Sequence, residues 1–206
     1  MLSVHHIELP LAGWREYPGD GLRWTNEVGD LVSLDFFDVA PDLPSARDKI
    51  SALRSIYRTA LGESGNLVEV ERIAVAGVPA VQAVFKIPQT PTGMTYIAAI
   101  TIPFRDCSFV IKWQCPEFGT TGVRDATVFA LVAPPFDEAT GEPIGWARDP
   151  YDASHQARGL RNRSDDPEWD SMFPAHPLSR LRTYLAALGA VRFRPPAATE
   201  PPFVGL

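Results

Sequence analysis

The chain has 206 residues, of which 45% are hydrophobic and 21% charged. These ordinary globular proportions exclude a disordered or fibrous protein and suit one compact unit, since domains commonly hold about 100 to 200 residues. A formal charge of −6 excludes generic affinity for nucleic-acid phosphates, which needs a positive field, and favours a basic partner. No apolar run approaches the roughly 20 residues that cross a bilayer, and the opening MLSVHHIELPLAGW lacks the basic segment and apolar stretch of a secretory leader; no membrane contact and a cytoplasmic location are expected.

In chain order, Val4 to Leu9 reads as a short strand, Leu22 to Asn26 as a second and Leu31 to Val39 as a half-buried third with imperfect alternation. The period then changes: Ala46, Ile50, Leu53, Tyr57 and Ala60 recur at helical spacing, with Pro44 in the first turn and Gly62 at the end, which predicts a helix over Pro44–Leu61. A meander follows through Val68–Val75, Ala80–Ile87, Met94–Ile102 and Ser108–Cys115, divided by Ala76-Gly77, the 88–93 loop and the 103–106 turn. Phe109, Ile111, Trp113 and Cys115 alternate with more polar neighbours and define a core face. The strand from Met94 is apolar on both faces, as a central strand covered on two sides must be. Helical spacing returns at Val123, Ala126, Thr127, Ala130 and Leu131, with Thr121 as the expected N-cap.

Beyond Ala133, prolines and glycines make residues 134–163 a long ordered loop. Asp166-Pro167 opens a short turn carrying Trp169 and Phe173, and His176-Pro177 opens a helix whose Leu178, Leu181, Leu185 and Leu188 form an apolar stripe. The expected organisation is one α+β domain over 1–194, with a core at 4–132 and a loop-and-helix extension at 133–194. A proline-rich tail at 195–206 is expected to be extended and mobile.

The element order, the ELPLAGW segment and the VAGVPAVQAVFK turn-and-strand, with Gly77 to Ala80 at its centre, resemble the PsbP-like sandwich, which is also represented by DcrB-type bacterial proteins. The resemblance covers about residues 4–132. It implies an antiparallel meander flanked by helices and a non-enzymatic role as a binder, adaptor or chaperone-like protein; fold alone does not choose among these.

Candidate chemistry is sparse. Asp165, Asp166, Glu168, Asp170 and His176 are the densest polar group, yet their spacing specifies no metal geometry. Asp166 as a helix cap, His176 as another and pairing with Arg158, Arg161 and Arg163 account for them structurally, so no metal or cofactor is expected. Adjacent His5 and His6 would leave a strand on opposite faces. Cys107 and Cys115 are expected to be free, packed thiols. Gly62-Glu63-Ser64-Gly65 lacks the spacing of a nucleophile elbow.

Exclusion therefore favours a non-enzymatic, partner-binding protein of bacterial type, immunity-like or adaptor-like, holding another protein, a basic one by preference. Trp146, Tyr151, Trp169 and Phe173 are its candidate anchors, because aromatics in irregular segments make strong interface contacts. Any of the four could instead pin its loop to the body, and for Trp169 and Phe173 that pinning role is the favoured one. The alternative is a small-molecule binder or hydrolase with a pocket under the 134–163 loop, using His155, Asp149 and Asp152.

Overall fold

The computed structural model of the chain describes residues 2–18, 22–43, 50–149, 151–152, 154, 160–201 and 203. It is an α+β protein. Strands β1 (Ile7–Glu8), β2 (Arg15–Glu16), β3 (Arg23–Thr25) and β4 (Leu31–Phe37) precede helix α1 (Ile50–Leu61). Strands β5 (Asn66–Val75), β6 (Val78–Pro88), β7 (Met94–Pro103) and β8 (Ser108–Pro116) then form the meander. Helices α2 (Val123–Val132) and α3 (Pro177–Ala186) and strand β9 (Arg192–Phe193) complete the order. An antiparallel seven-stranded sheet runs β2-β3-β4-β8-β7-β6-β5, and β1 pairs with β9 in a separate two-stranded sheet.

Turn chemistry sets the register. Ala76 and Gly77 both have positive φ, +47° and +83°, the pair of left-handed residues that a tight hairpin with native twist demands; Val75 and Val78 close it as partners. Strand β7 lies between β6 and β8 and is apolar on both sides, because both sides are covered. On one face Tyr96, Ala98, Ile100 and Ile102 join Phe109, Ile111 and Trp113 of β8 against Leu178 and Leu181 of α3. On the other, Ile97 and Ala99 join Val81, Ala83 and Phe85 of β6 against Leu53 and Tyr57 of α1. The sheet is thus the middle layer between two helices.

Several expectations change at element ends. Val4–His6 is a 3-10 turn, with only Ile7–Glu8 extended, because His6 folds back and its Nδ1 accepts the Ser3 amide (3.0 Å). The expected helix from Pro44 is helical over Ile50–Leu61, its first turn falling outside the described residues. The N-cap of α2 is Gly122 and not Thr121. Its φ of +72° suits glycine, and its amide is taken by Glu117 Oε1 (3.0 Å) while Thr121 bonds the Thr92 hydroxyl. Asp166 flanks the Pro167–Trp169 turn but makes no side-chain cap; its carboxylate accepts from Arg161 (2.7 Å). The tail, expected to be extended, instead makes a 3-10 turn at Ala197–Thr199 with Ala197 buried. It is held to the β7–β8 turn by the Arg105 amide donating to the Pro201 carbonyl and the Phe203 amide to the Pro103 carbonyl.

Candidate functional site

The extension is fixed to the sheet by a buried ionic cluster. Lys86 continues the alternation of Ala80 and Val84 on β6, so its side chain enters the interior toward the Arg163–Asp165 turn, where it is 2% exposed. A charge there requires a partner. Its Nζ donates to Asp165 Oδ2 at 2.6 Å, the Tyr96 hydroxyl donates to Oδ1 at 3.1 Å, and the Asn162 amide also donates to Oδ2. Burial by itself would raise the Asp165 carboxyl, but Lys86, the Asn162 amide and Tyr96 outweigh it and hold the group below the ordinary carboxylate range.

Arg124, on the inward face of α2 with Val128, is 1% exposed. It donates to the carbonyls of Ser164 (2.6 Å) and Asp166 (3.0 Å), to Asp170 (2.9 Å) and to Ser179 (2.8 Å). Arg182 adds bonds to Asp170 and to the Asp165 carbonyl. Three of the four acids that looked like a metal set are thereby engaged, Asp165 by Lys86, Asp166 by Arg161 and Asp170 by Arg124 and Arg182, and Glu168 is exposed. Among the described residues no group of His, Cys, Asp and Glu is arranged to hold a metal ion.

Two clefts flank this cluster. The larger, about 610 Å³, opens between the α2 start and the segment before α3. On its floor, His176 caps α3, its Nδ1 accepting the Leu178 amide (3.3 Å), while its Nε2 faces Glu117 at 3.7 Å. That separation exceeds a hydrogen bond. Burial pushes Glu117 up, but the His176 ring and the amides of Gly122 and Met94 prevail and keep it lowered. Around the mouth stand Val28, Phe118, Val123 and Met172, 51%, 63%, 48% and 54% exposed. Phe118 lies over Gly29, where a Cβ would come within 3.1 Å of the ring.

The smaller cleft, about 280 Å³, lies under the long loop against edge strand β5. The loop is anchored by Trp146, which meets Phe129 edge-on with centroids 4.9 Å apart. Tyr151 anchors it too, with its hydroxyl accepting the Val70 amide (2.9 Å) and its ring lying 3.4 Å from the Arg54 guanidinium carbon. Asp149 turns the chain by accepting the amides of Tyr151 and Asp152.

Of the sequence-derived anchors, Trp146 and Tyr151 thus line the small cleft and Phe173 the large one. Trp169 is half-buried with its Nε1 without a hydrogen-bond partner, and His155 lies outside the described residues. Asp149 and Asp152 serve the loop, both facing Arg58. Sequence reasoning missed Lys86, Arg124 and Glu117. A lysine that completes an apolar alternation and an arginine four residues before a buried valine were the available signals; Glu117 had none.

Neither cysteine is poised as a nucleophile. Burial and the neighbouring acids push the Cys107 thiol up to about 11, and burial beside Asp30 pushes Cys115 well above its ordinary value. Comparison with known proteins finds no matching family model and no matching curated relative. No helix among the described residues is long and apolar enough to cross a membrane.

Proposed function

We propose that the protein is a non-enzymatic, bacterial-type partner-binding protein that holds an apolar segment of another protein in the large cleft beside α3. The observation that carries this reading is the convergence of Val28, Phe118, Val123 and Met172, each about half exposed or more, around one opening. Scattered apolar residues need no explanation, but a contiguous rim over a concave floor supports recognition. Charge supports a basic anchor in the partner. Both arginines of the cleft are already neutralised, Arg124 by Asp170 and Arg180 by Asp30, whereas the Glu117 carboxylate, which accepts the Met94 and Gly122 amides and faces the His176 ring, has no lysine or arginine partner among the described residues. An immunity-like or adaptor-like role accords with this arrangement and with a chain of formal charge −6.

The test is capture from the native cell with the full chain, identification of the bound protein, and titration of that protein with purified wild type and a Phe118→Ala/Met172→Ala variant. Loss of affinity by about tenfold or more, with an unchanged melting temperature, supports the reading. Equal affinity of the two chains for the captured protein refutes it.

A further inference from the structure

The small cleft carries a separate and more specific chemistry. Residues 146–148 and 161–163 form a short antiparallel ribbon: Ala147 pairs with Asn162, the Arg148 amide donates to the Arg161 carbonyl, and the Arg163 amide to the Trp146 carbonyl. Trp146 therefore stands opposite Arg163 and Arg148 opposite Arg161, and all four line the cleft. Like charges facing each other across a ribbon repel. Arg161 is relieved by Asp166 at 2.7 Å, but Arg148 and Arg163 have no side-chain hydrogen bond or ion pair among the described residues. The opposite wall is β5, whose Glu69 and Glu71 lie two residues apart. Glu69 is engaged by Gln82 and faces Arg182. Glu71 is exposed and makes no ion pair with either arginine although it lines the same cleft.

The cleft thus holds two uncommitted guanidinium groups on one wall and an uncommitted carboxylate on the other, with the Trp146 indole and the Tyr151 phenol also in its lining. A simple anion would meet repulsion from Glu69, Glu71 and Asp166, increasingly so for a doubly charged phosphate. A simple cation would meet the arginines. The charge pattern and the volume of about 280 Å³ fit a small molecule bearing both signs, and we infer that the cleft is a binding site for a free α-amino acid. The carboxylate is received by Arg148 and Arg163, which match it in forked geometry. The ammonium is received by Glu71, and the side chain rests against Trp146 and Tyr151. This site is independent of the partner-binding cleft and stands or falls separately from it.

The test uses the full chain and each natural L-amino acid as a calorimetric titrant. At least one is expected to bind saturably with one site per chain. For that amino acid, its N-acetyl derivative and its amide, which each lack one charge, are expected to bind about tenfold or more weakly. Arg148→Ala/Arg163→Ala is expected to lose discrimination against the amide, and Glu71→Gln to lose discrimination against the N-acetyl form. These positions are exposed, apart from the cleft contacts, so the variants retain the wild-type melting temperature. Absence of saturable heat with every amino acid overturns the inference. So does binding that neither pair of charge-deleted ligands nor either variant alters.

Discussion

Lys86 Nζ lies 2.6 Å from Asp165 Oδ2, joining two residues 79 apart in the chain, and this contact ties the C-terminal extension to an interior strand of the sheet. Both side chains are essentially inaccessible to water. In such surroundings an ion pair contributes little net stability over a well-packed apolar pair, whereas removing one partner leaves a buried charge uncompensated.

Asp165→Ala is accordingly expected to destabilise the fold by about 3 to 5 kcal/mol, and Lys86→Met/Asp165→Leu by much less. Urea unfolding of the two variants checks this. A double variant as unstable as the single one would show that the bonds from Tyr96 and Asn162, not the charge on Lys86, carry the contribution.

Acid should loosen the same joint. The folded Asp165 carboxyl is held below its unfolded value, so its contribution is fully present above the unfolded value near pH 4 and is lost as pH falls through the lower folded value. Glu117 acts in the same direction. The urea midpoint is expected to fall below about pH 4, and Asp165→Asn should flatten that fall; a midpoint independent of pH in that range would contradict the assignment.

Trp113 is 5% exposed on the face of β8 that packs under α3. Truncating a large buried aromatic removes contacts that the surroundings only partly refill, so Trp113→Ala is expected to cost about 3 to 5 kcal/mol. An unchanged melting curve would place that side chain outside the core.

The tail yields the reverse of the expectation drawn from its prolines. Because Ala197 is buried and Pro201 and Phe203 hydrogen-bond to the β7–β8 turn, ending the chain after Arg194 should lower stability by about 1 kcal/mol or more. Thermal unfolding of the shortened chain measures it, and identical melting would mean that the docked tail contributes nothing.

Thiol reactivity is the fifth expectation. With Cys107 raised to about 11 and Cys115 higher still, neither offers appreciable thiolate near neutral pH. An aromatic disulfide reagent should label both only after denaturant is added; rapid labelling of the native chain would contradict the burial of these thiols.

What the sequence discloses and what it withholds divide along a physical line. Period-two alternation located β8, the doubly apolar pattern placed β7 inside the sheet, and the Leu178–Leu188 stripe located the docked helix, because each depends on local spacing that burial acts upon directly. The Lys86–Asp165 and Arg124–Asp170 contacts depend on which distant surfaces meet, and no local period encodes that. The loop is a mixed case. Trp146 and Tyr151 stood out as aromatics among prolines and glycines, but the bridge between Ala147 and Asn162 that gathers the arginines has no periodic signature. Glycine overruled threonine as the cap of α2 through the left-handed φ at Gly122 and the distant partners Glu117 and Thr92, which take the Gly122 amide and the Thr121 hydroxyl.

The loop over β5 also has a bearing on solubility. An outer strand offers unmatched amides and carbonyls to any passing chain. Here the Tyr151 hydroxyl occupies the Val70 amide and the Arg161 guanidinium occupies the Val68 carbonyl, so two rungs of that ladder are occupied by side chains that cannot propagate it. The 134–163 loop is therefore a guard against fibre growth, and shortening it would leave those two rungs of the outer strand open to other chains.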